Sequence, residues 1–427
     1  MIESRTSWDS DAQPPPHRYA GAVKRALCGL IAATVTASAA GCGTAPTAPS
    51  FPSITLRADQ KSLGTLISAS PATAIAKELA GITSSARDIA YTTIGPTGTP
   101  SAATGGVYVP AGTPPPGGWP VVAFGHGTTG VEPQCAPTLD PSMFQNLPIV
   151  VNVVRELRAA VVMPNYLGLG SAGRHPYLDS MSHGYDVLGA VRAARATDAT
   201  LSNDIFLLGV SQGGRATEAA AELAPTAAPE LGLRANAMVV PALSLQFPEL
   251  IVRGQLNGAQ YSILPQLVFG AQASDPGLRT SDVLHGTLLK NADALTQGCS
   301  GAAPKPWIDP SDPPIGAADA RSDGTASNND GTARFFDYLR RTELPQRPNP
   351  AITTLVINGA DDELIPPRWT QSAVATMCRA GVPVEHRVRP GGHYAVSDLT
   401  DVTSWLGDRI ARKPAPAACT APAPARS

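Results

Sequence analysis

Short runs of apolar residues alternate with helix-forming segments along the middle of this 427-residue chain. The apolar runs have the length and composition of strands that are buried on both faces. Strands are predicted at 119–124, 159–164, 205–208, 235–240, 351–357 and 384–388, and helices at 152–158, 186–196 and 215–223. Two earlier segments, 88–93 and 106–110, are predicted to be antiparallel strands joined by a Gly/Pro/Thr turn. Strands that alternate with helices indicate an α/β fold with a doubly wound, mostly parallel sheet.

A serine stands at the turn between one buried strand and the helix after it. The stretch Gly-Val-Ser-Gln-Gly at 209–213 follows the apolar run 205–208 and precedes the helix formers at 215–223. Strand, Gly-x-Ser-x-Gly and helix in this order form a nucleophile elbow, which is the signature of the α/β-hydrolase fold. In a chain with 40 glycines the pentapeptide alone is weak evidence, but its position makes it specific. We therefore predict an α/β-hydrolase with Ser211 as its nucleophile.

A serine nucleophile needs a base to take its proton and an acid to orient that base. In α/β-hydrolases the acid and then the base follow the serine along the chain. The acid is expected in the loop after strand 351–357, where Asp362 fits the pattern best and Asp361 is the alternative. The base is expected beyond the last strand, where His393 follows a Pro-Gly-Gly turn, whereas His386 is expected to pack within that strand. A solvated acidic loop is the non-catalytic interpretation of the aspartates.

The Gly-rich segment 126–130 follows an earlier strand, at the point where this fold builds half of its oxyanion hole. The backbone amides of Thr128 and of Gln212, which directly follows the serine, are predicted to be the two donors. His126 has a rival interpretation as the catalytic base. Because it precedes the serine in the sequence, we expect it to shape the loop through local hydrogen bonds instead.

The alternation of strands and helices stops at residue 243. From there to 348, helical stretches at 247–256, 260–271 and 332–341 are mixed with loops rich in Pro, Asp, Gly and Ser. An insertion of about 100 residues is too long for a plain connection between two strands of one sheet. We interpret 243–348 as a largely helical cap over the active-site face of the sheet.

The N-terminal segment has the layout of an export signal. Lys24 and Arg25 precede an apolar run at 26–40, which has the length of a signal-peptide core rather than of a membrane span. The run ends in Ala-Ala-Gly-Cys at 39–42, which resembles a bacterial lipobox except that alanine replaces the usual leucine. We predict that Cys42 is lipidated and anchors the protein in the cell envelope. The alternative is an ordinary secretory signal with an Ala-x-Ala-like cleavage site.

The composition excludes other classes of protein. Charged residues are 15% of the chain and the formal net charge is -2, so nucleic acid is not expected as a partner. Besides Cys28 and Cys42, four cysteines remain after export, in a compartment that favours disulfides. They are Cys135, Cys299, Cys378 and Cys419. None has zinc-ligand spacing, so no metal is predicted, and no organic cofactor is implied.

The combination of motifs resembles the secretory lipase family of actinobacteria and fungi, which includes a fungal lipase with a large helical cap. The resemblance spans roughly residues 60–412 and rests on the following motifs: His126-Gly-Thr-Thr-Gly130, Asn165-Tyr-Leu-Gly-Leu-Gly170, Arg174-His-Pro-Tyr177, Val191-Arg-Ala-Ala-Arg195, Gly209-Val-Ser-Gln-Gly-Gly214, the Asp362 loop and Gly392-His393. Asn165 departs from the family pattern, which usually carries aspartate before the tyrosine. This departure puts an electrostatic role of the position in doubt.

The resemblance implies hydrolysis of acyl esters of glycerol or related lipids. It also implies a disulfide between Cys135, after the oxyanion segment, and Cys299 in the cap. By elimination Cys378 then pairs with Cys419. The alternatives are an esterase for small soluble or polyester substrates and, from another class, a cell-surface binding lipoprotein without turnover. The sequence leaves the oligomeric state open.

The predicted organisation therefore has a hydrolase core interrupted by the cap. It comprises a signal peptide at 1–42, a tether at 43–60, the first part of the core at 61–242, the cap at 243–348, the second part of the core at 349–412 and an Ala/Pro-rich tail at 413–427.

Overall fold

The computed structural model describes residues 51–253, 255–284, 286–299, 330–394, 399–415 and 419. The predicted signal peptide with Cys42, most of the tether, residues 300–329 of the predicted cap and most of the tail lie outside the described residues. None of the described helices is long and apolar enough to cross a membrane.

Nine strands of the described chain form one sheet in the order β1-β2-β3-β5-β4-β6-β7-β8-β9. They are β1 (Leu66–Pro71), β2 (Thr83–Ile94), β3 (Pro100–Pro110), β4 (Trp119–Gly125), β5 (Ala160–Pro164), β6 (Leu201–Val210), β7 (Gly232–Val239), β8 (Thr353–Gly359) and β9 (Val384–Arg389). β1, β2, β3 and β5 pair antiparallel, and every pair from β5 through β4 to β9 is parallel. The prediction of a mostly parallel sheet is confirmed.

Ten helices accompany these strands in the described ranges. They are α1 (Lys77–Ala80), α2 (Leu147–Glu156), α3 (Ser180–Thr197), α4 (Gln212–Ala227), α5 (Phe247–Arg253), α6 (Gly258–Ser274), α7 (Gly286–Thr296), α8 (Asp330–Arg341), α9 (Pro367–Arg379) and α10 (Thr400–Ile410). The apolar residues of α3 and α4 pack on one face of the sheet, and those of α2 and α10 pack on the other. The sheet is therefore covered on both faces, as a doubly wound fold requires.

Burial on both faces explains why the central strands are continuous apolar runs. In β4, Val121 and Ala123 belong to the core beneath α3 and α4, whereas Val122 and Phe124 belong to the core beneath α2 and α10. Successive side chains of a strand point to opposite faces, so a strand with two covered faces needs apolar residues at every position. The observed strands β2 to β9 coincide with the predicted strands. Five further elements were not predicted from the sequence: β1, α1, α7, α9 and α10.

The long segment between β7 and β8 does not interrupt the sheet. β7 and β8 are parallel neighbours, with Val239 opposite Ile357, although more than one hundred residues separate them in sequence. The described part of this segment contains α5 to α8 and no strand. These helices share an apolar core of their own, which extends to Leu364, Ile365 and Trp369 beside the predicted acid loop.

Two disulfides join distant parts of the described chain. Cys135, in a short turn after the oxyanion segment, is bonded to Cys299, which follows α7, with the two Cα atoms 5.2 Å apart. Cys378, in α9, is bonded to Cys419 with the Cα atoms 5.5 Å apart. The Cys419 backbone N–H also donates to the Val384 carbonyl oxygen at 3.0 Å, so the tail contacts β9 at this point.

Candidate active site

Ser211 occupies the turn between β6 and α4 in a conformation that side chains rarely adopt. Its φ is 53° and its ψ is -113°, outside the allowed regions for most residues other than glycine. The turn requires glycine at 209 and 213, because a Cβ at position 213 would overlap the Gly125 carbonyl oxygen. The Ser211 N–H donates to the Val239 carbonyl oxygen at 2.9 Å, and its carbonyl oxygen accepts from the Ala242 N–H at 3.1 Å. These bonds attach the strained residue to the end of β7 and the residues directly after it.

The predicted site residues all follow the carboxyl ends of parallel strands. The oxyanion segment follows β4, Ser211 follows β6, Asp362 follows β8 and His393 follows β9. Because the carboxyl ends of parallel strands lie along the same edge, this topology gathers residues that are far apart in sequence at one edge of the sheet.

The structure links Ser211, His393 and Asp362 in one chain of hydrogen bonds. The Nε2 atom of His393 is 3.0 Å from the Ser211 Oγ, and its Nδ1 atom is 2.8 Å from the Asp362 Oδ2. A carboxylate can only accept, so Nδ1 carries the proton and Nε2 is free to accept the proton of the serine hydroxyl. Both the imidazole and the carboxylate are buried. This arrangement has the geometry of a Ser-His-Asp triad.

The buried Asp362 carboxylate is held by the loop that carries it. Its Oδ1 accepts from the backbone N–H groups of Leu364 at 3.0 Å and Ile365 at 2.7 Å, while Oδ2 faces His393. Asp361 is exposed, and its backbone N–H donates to the Gly391 carbonyl oxygen. Of the two candidate acids, the structure therefore brings Asp362 to the histidine and leaves Asp361 at the surface.

The backbone amides of Thr128 and Gln212 are the donors predicted for an oxyanion hole. Gln212 is the first residue of α4, and the first N–H groups of a helix have no partner within the helix. Thr128 lies in the loop after β4, whose last residue pairs with Gly209 of β6. Among the described residues, neither backbone N–H has a hydrogen-bond partner. Both amides remain available to a ligand.

Comparison with known proteins places this fold and site in a family. The profile of the secretory lipase family matches residues 145–417. The chain belongs to the secretory lipase family. Membership identifies the protein as a carboxylester hydrolase of the lipase and esterase class, and a secretory family with two disulfides is consistent with export. No curated protein matches the sequence.

Solved structures share the fold of this chain at low sequence identity. The closed state of Candida antarctica lipase A has a TM-score of 0.67 and 16% identity, over 86% of this chain and 87% of that one. The ligand-bound rice cell wall degrading esterase LipA from Xanthomonas oryzae has a TM-score of 0.56 and 23% identity, over 82% and 96%. A putative hydrolase from Legionella pneumophila has a TM-score of 0.61 and 17% identity, over 81% and 97%. These likenesses confirm the α/β-hydrolase fold.

His126 lies in the loop after β4, and both of its ring nitrogens face backbone carbonyl oxygens. Its Nδ1 is 2.7 Å from the Gly127 carbonyl oxygen, and its Nε2 is 3.3 Å from the Asn165 carbonyl oxygen. Burial lowers the pKa of this imidazole to about 4. With both ring nitrogens directed at backbone carbonyls, His126 shapes the loop, in agreement with the expectation from its position in the sequence.

The hydrogen-bond partners of Asn165 explain why this position carries asparagine where the family usually has aspartate. Its Nδ2 donates to the hydroxyls of Thr104 at 2.9 Å and Thr138 at 2.8 Å, and its Oδ1 accepts from the Thr138 N–H at 3.3 Å. A carboxylate has no N–H to donate. The buried amide therefore crosslinks β3 to the loop after the oxyanion segment without adding a buried charge.

Two further histidines, His175 and His183, contact the side chain of Gln212. Both precede the acid in sequence and were therefore not candidates for the base. In the structure each places its Nε2 atom within 3.0 Å of the side-chain Nε2 of Gln212. The only signal for them in the sequence is that His175 belongs to the Arg174–Tyr177 motif. His386 packs within β9 against Asn358, as expected, and His285 lies outside the described residues.

No group of three or more His, Cys, Asp or Glu side chains in the described ranges is arranged to bind a metal ion.

Proposed function

We propose that this protein is an exported serine carboxylester hydrolase that cleaves acyl esters of glycerol or related lipids through an acyl-enzyme on Ser211. The observation that supports the mechanism best is the hydrogen-bonded chain from the Ser211 Oγ through His393 to the buried Asp362. Each of the three residues is positioned by a different parallel strand, so the arrangement is a product of the fold.

In the first half of the reaction, the Ser211 Oγ bonds to the ester carbonyl carbon as its proton passes to the His393 Nε2. The carbonyl oxygen becomes an oxyanion, which the backbone N–H groups of Thr128 and Gln212 stabilise. Asp362 orients the imidazole and stabilises its protonated form. Collapse of the tetrahedral intermediate breaks the bond to the leaving oxygen, which takes the proton from Nε2 and departs as the alcohol.

In the second half, water attacks the acyl-enzyme and His393 takes a proton from it. Collapse of the second tetrahedral intermediate returns the proton to the Ser211 Oγ and releases the carboxylic acid. Every proton transfer in the cycle passes through the His393 Nε2, which the structure places 3.0 Å from the Ser211 Oγ.

An acyl-lipid substrate is supported by the apolar character of the segment next to the site. The described helices of 243–348 form an apolar cluster that reaches the loop bearing Asp362 through Leu364 and Ile365. Tyr394, beside His393, adds an aromatic side chain that is 73% exposed. Of the solved relatives, one is described as a lipase and another as a cell wall degrading esterase. The acyl chain length that the enzyme prefers therefore distinguishes a lipid substrate from a small soluble ester or a polyester.

Export and lipid anchoring form the cellular part of the proposal. Structural disulfides persist in oxidising compartments, and two lie in the described part of the chain. The lipobox-like Ala-Ala-Gly-Cys at 39–42 makes Cys42 the site at which a lipid would be attached.

The deciding experiment is a series of p-nitrophenyl esters from acetate to palmitate on the wild type and on Ser211→Ala. Ser101→Ala is the matched control, because the Ser101 hydroxyl also makes a hydrogen bond but lies on β3. We expect wild-type turnover that favours long acyl chains, full activity in the control and none in Ser211→Ala.

Other outcomes would contradict parts of the proposal. Turnover restricted to the shortest esters would favour the small-ester alternative. Undiminished activity in Ser211→Ala would exclude the acyl-enzyme on this serine. Binding of lipid by the folded wild type without hydrolysis of any ester would identify a non-catalytic surface protein.

A further inference from the structure

The Gln212 side chain is buried between two imidazoles. Its Nε2 atom is 3.0 Å from the His175 Nε2 and 2.9 Å from the His183 Nε2, and all three side chains are buried. His175 comes from the loop before α3 and His183 from the first turns of α3. The residue that directly follows Ser211 is therefore attached by its side chain to a separate part of the fold.

The hydrogen-bonding partners determine which ring nitrogen of each imidazole carries the proton. The His175 Nδ1 is 2.8 Å from the Leu167 carbonyl oxygen, which can only accept, so Nδ1 carries the proton and Nε2 accepts. Only the amide nitrogen of Gln212 can donate to that acceptor, and its second N–H points to the His183 Nε2. Burial lowers the pKa of both imidazoles, that of His175 to about 3, so both are neutral near neutral pH.

Aromatic stacking restricts the movement of the two acceptors. The rings of His175 and His183 are stacked with centroids 5.2 Å apart, and His183 is stacked on Tyr166 at 4.7 Å. The Gln212 Oε1 has no hydrogen-bond partner among the described residues, so its fixed orientation depends on the two imidazoles.

The second proposed donor, Thr128, is attached to the same segment. Its Oγ1 and the Tyr177 hydroxyl are 2.9 Å apart and share a hydrogen bond. Tyr177 is itself held, because the Tyr338 hydroxyl of α8 donates to its carbonyl oxygen at 2.7 Å and Gly270 of α6 packs against its backbone. Tyr177 is two residues after His175, so one short segment contacts both halves of the proposed oxyanion hole.

We infer that His175, with His183, and Tyr177 are positioning residues that fix the oxyanion donors Gln212 and Thr128 through their side chains. The inference rests on the proposed function. Preorganised donors stabilise a transition state because they need no reorganisation when charge develops. A donor whose side chain is released keeps its N–H but loses this preorganisation. The loss should appear in kcat, because the oxyanion exists only in the transition state and the intermediates.

The first test is a double-mutant cycle between Tyr177→Phe and Thr128→Val, each of which removes one hydroxyl from the pair. Loss of a complete oxyanion donor costs a hundredfold or more in kcat, so a loosened donor should cost about tenfold, with KM within about twofold. The double variant should be no slower than either single variant, because both remove the same bond. Tyr91→Phe is the matched control, since the buried Tyr91 hydroxyl donates to a backbone carbonyl elsewhere, and it should keep wild-type kcat.

The second test pairs His183→Met with Gln212→Met, which keeps the backbone amide but removes the side-chain donor. We expect His183→Met to lower kcat about tenfold in the wild-type background and to have no effect in the Gln212→Met background. His183→Gln should restore most of the activity, because its amide oxygen can accept the same N–H. Rescue of this kind would not follow from a purely structural role.

The outcomes separate this inference from the proposed function. Losses that multiply in either double variant, or effects on KM alone, would overturn the positioning role in an enzyme that still depends on Ser211. Activity that survives in Ser211→Ala, measured in the same series, would overturn the proposed mechanism and with it the need for an oxyanion hole.

Discussion

The guanidinium of Arg215 donates to the carbonyl oxygen of Thr342 at 2.5 Å, which connects the helix after the nucleophile to the end of the inserted segment. The same side chain donates to the carbonyl oxygens of Ala242 and Leu243, at the start of that segment. Arg215 is fully buried, and burial lowers the pKa of its guanidinium to about 10. One buried cation therefore joins the two ends of the inserted segment 243–348 through neutral backbone acceptors.

The first prediction concerns this attachment. Arg215→Met should lower the free energy of unfolding by about 3 kcal/mol or more, because three buried carbonyl groups lose a charged donor. It should also speed limited proteolysis within 243–348. Arg192→Met is the matched control, since Arg192 donates to the carbonyl oxygens of Leu63 and Ala227, both outside 243–348. Equal proteolysis of the cap in both variants would contradict the role of Arg215 in holding it.

The second prediction uses the two neighbouring aspartates. Asp362→Asn should lower kcat by about four orders of magnitude, because the amide no longer selects the His393 tautomer that accepts the serine proton. Asp361→Asn, one residue earlier and exposed, should keep kcat within about twofold. In a second pair, His393→Gln should lose activity as Asp362→Asn does, whereas His386→Gln should keep it as Asp361→Asn does. Initial rates on one p-nitrophenyl ester measure all four, and an inactive Asp361→Asn would reverse the assignment of the acid.

The third prediction follows from a buried acid in α4. Burial raises the pKa of Glu218 to about 8, its neighbour Glu222 adds to the rise, and Asn236 donates to its carboxyl group at 3.1 Å. Because the pKa of Glu218 is raised in the folded state, its contribution to stability is fully present at pH values below its unfolded pKa near 4.5. This contribution is lost as the pH rises toward the folded pKa of about 8. Glu218→Gln, which stays neutral, should gain stability relative to the wild type by about 1 kcal/mol per pH unit across this window.

Urea unfolding at a series of pH values measures this difference between variant and wild type. Glu156→Gln, exposed near the end of α2, is the control and should show a difference that does not change with pH. A Glu218→Gln curve that runs parallel to the wild-type curve would show that Glu218 is ionised in the folded protein.

The fourth prediction compares the two disulfides. The loops closed by Cys135–Cys299 and Cys378–Cys419 differ in length, with sequence separations of 164 and 41. Chain-entropy arithmetic assigns them about 5 and about 4 kcal/mol as upper values. Removing both cysteines of the first pair should therefore lower the melting temperature more than removing both of the second. Free thiols at Cys135 and Cys299 in the native protein would contradict the premise.

The fifth prediction tests the anchor. If Cys42 is lipidated, intact-mass analysis of the purified native protein should show a mature N-terminus at Cys42 with added acyl mass. Cys42→Ala should then move the enzyme from the membrane fraction to the medium, because each buried methylene contributes about 0.8 kcal/mol to membrane binding. A wild-type N-terminus at another residue, without acyl mass, would indicate the ordinary secretory signal.

Much of the fold and of the site could be predicted from local sequence. The strands β4 to β8 were recognisable because burial on both faces demands apolar runs. The elbow at Ser211 was recognisable because only glycine permits so close an approach of strand and helix. The order of serine, acid and histidine then followed from the order of the strands, and the structure gathers those residues at one edge because these strands are parallel.

The remaining features depend on side-chain directions and on contacts between distant residues, which no local pattern encodes. Asp361 and Asp362 are the same residue type at adjacent positions. Adjacent side chains of a turn point in different directions, and of these two only Asp362 is buried. His175 and His183 reach Gln212 across separations of 37 and 29 residues, and Arg215 reaches Thr342 across 127. These polar groups are buried at a cost that only specific partners offset, and the partners meet only when the chain has folded.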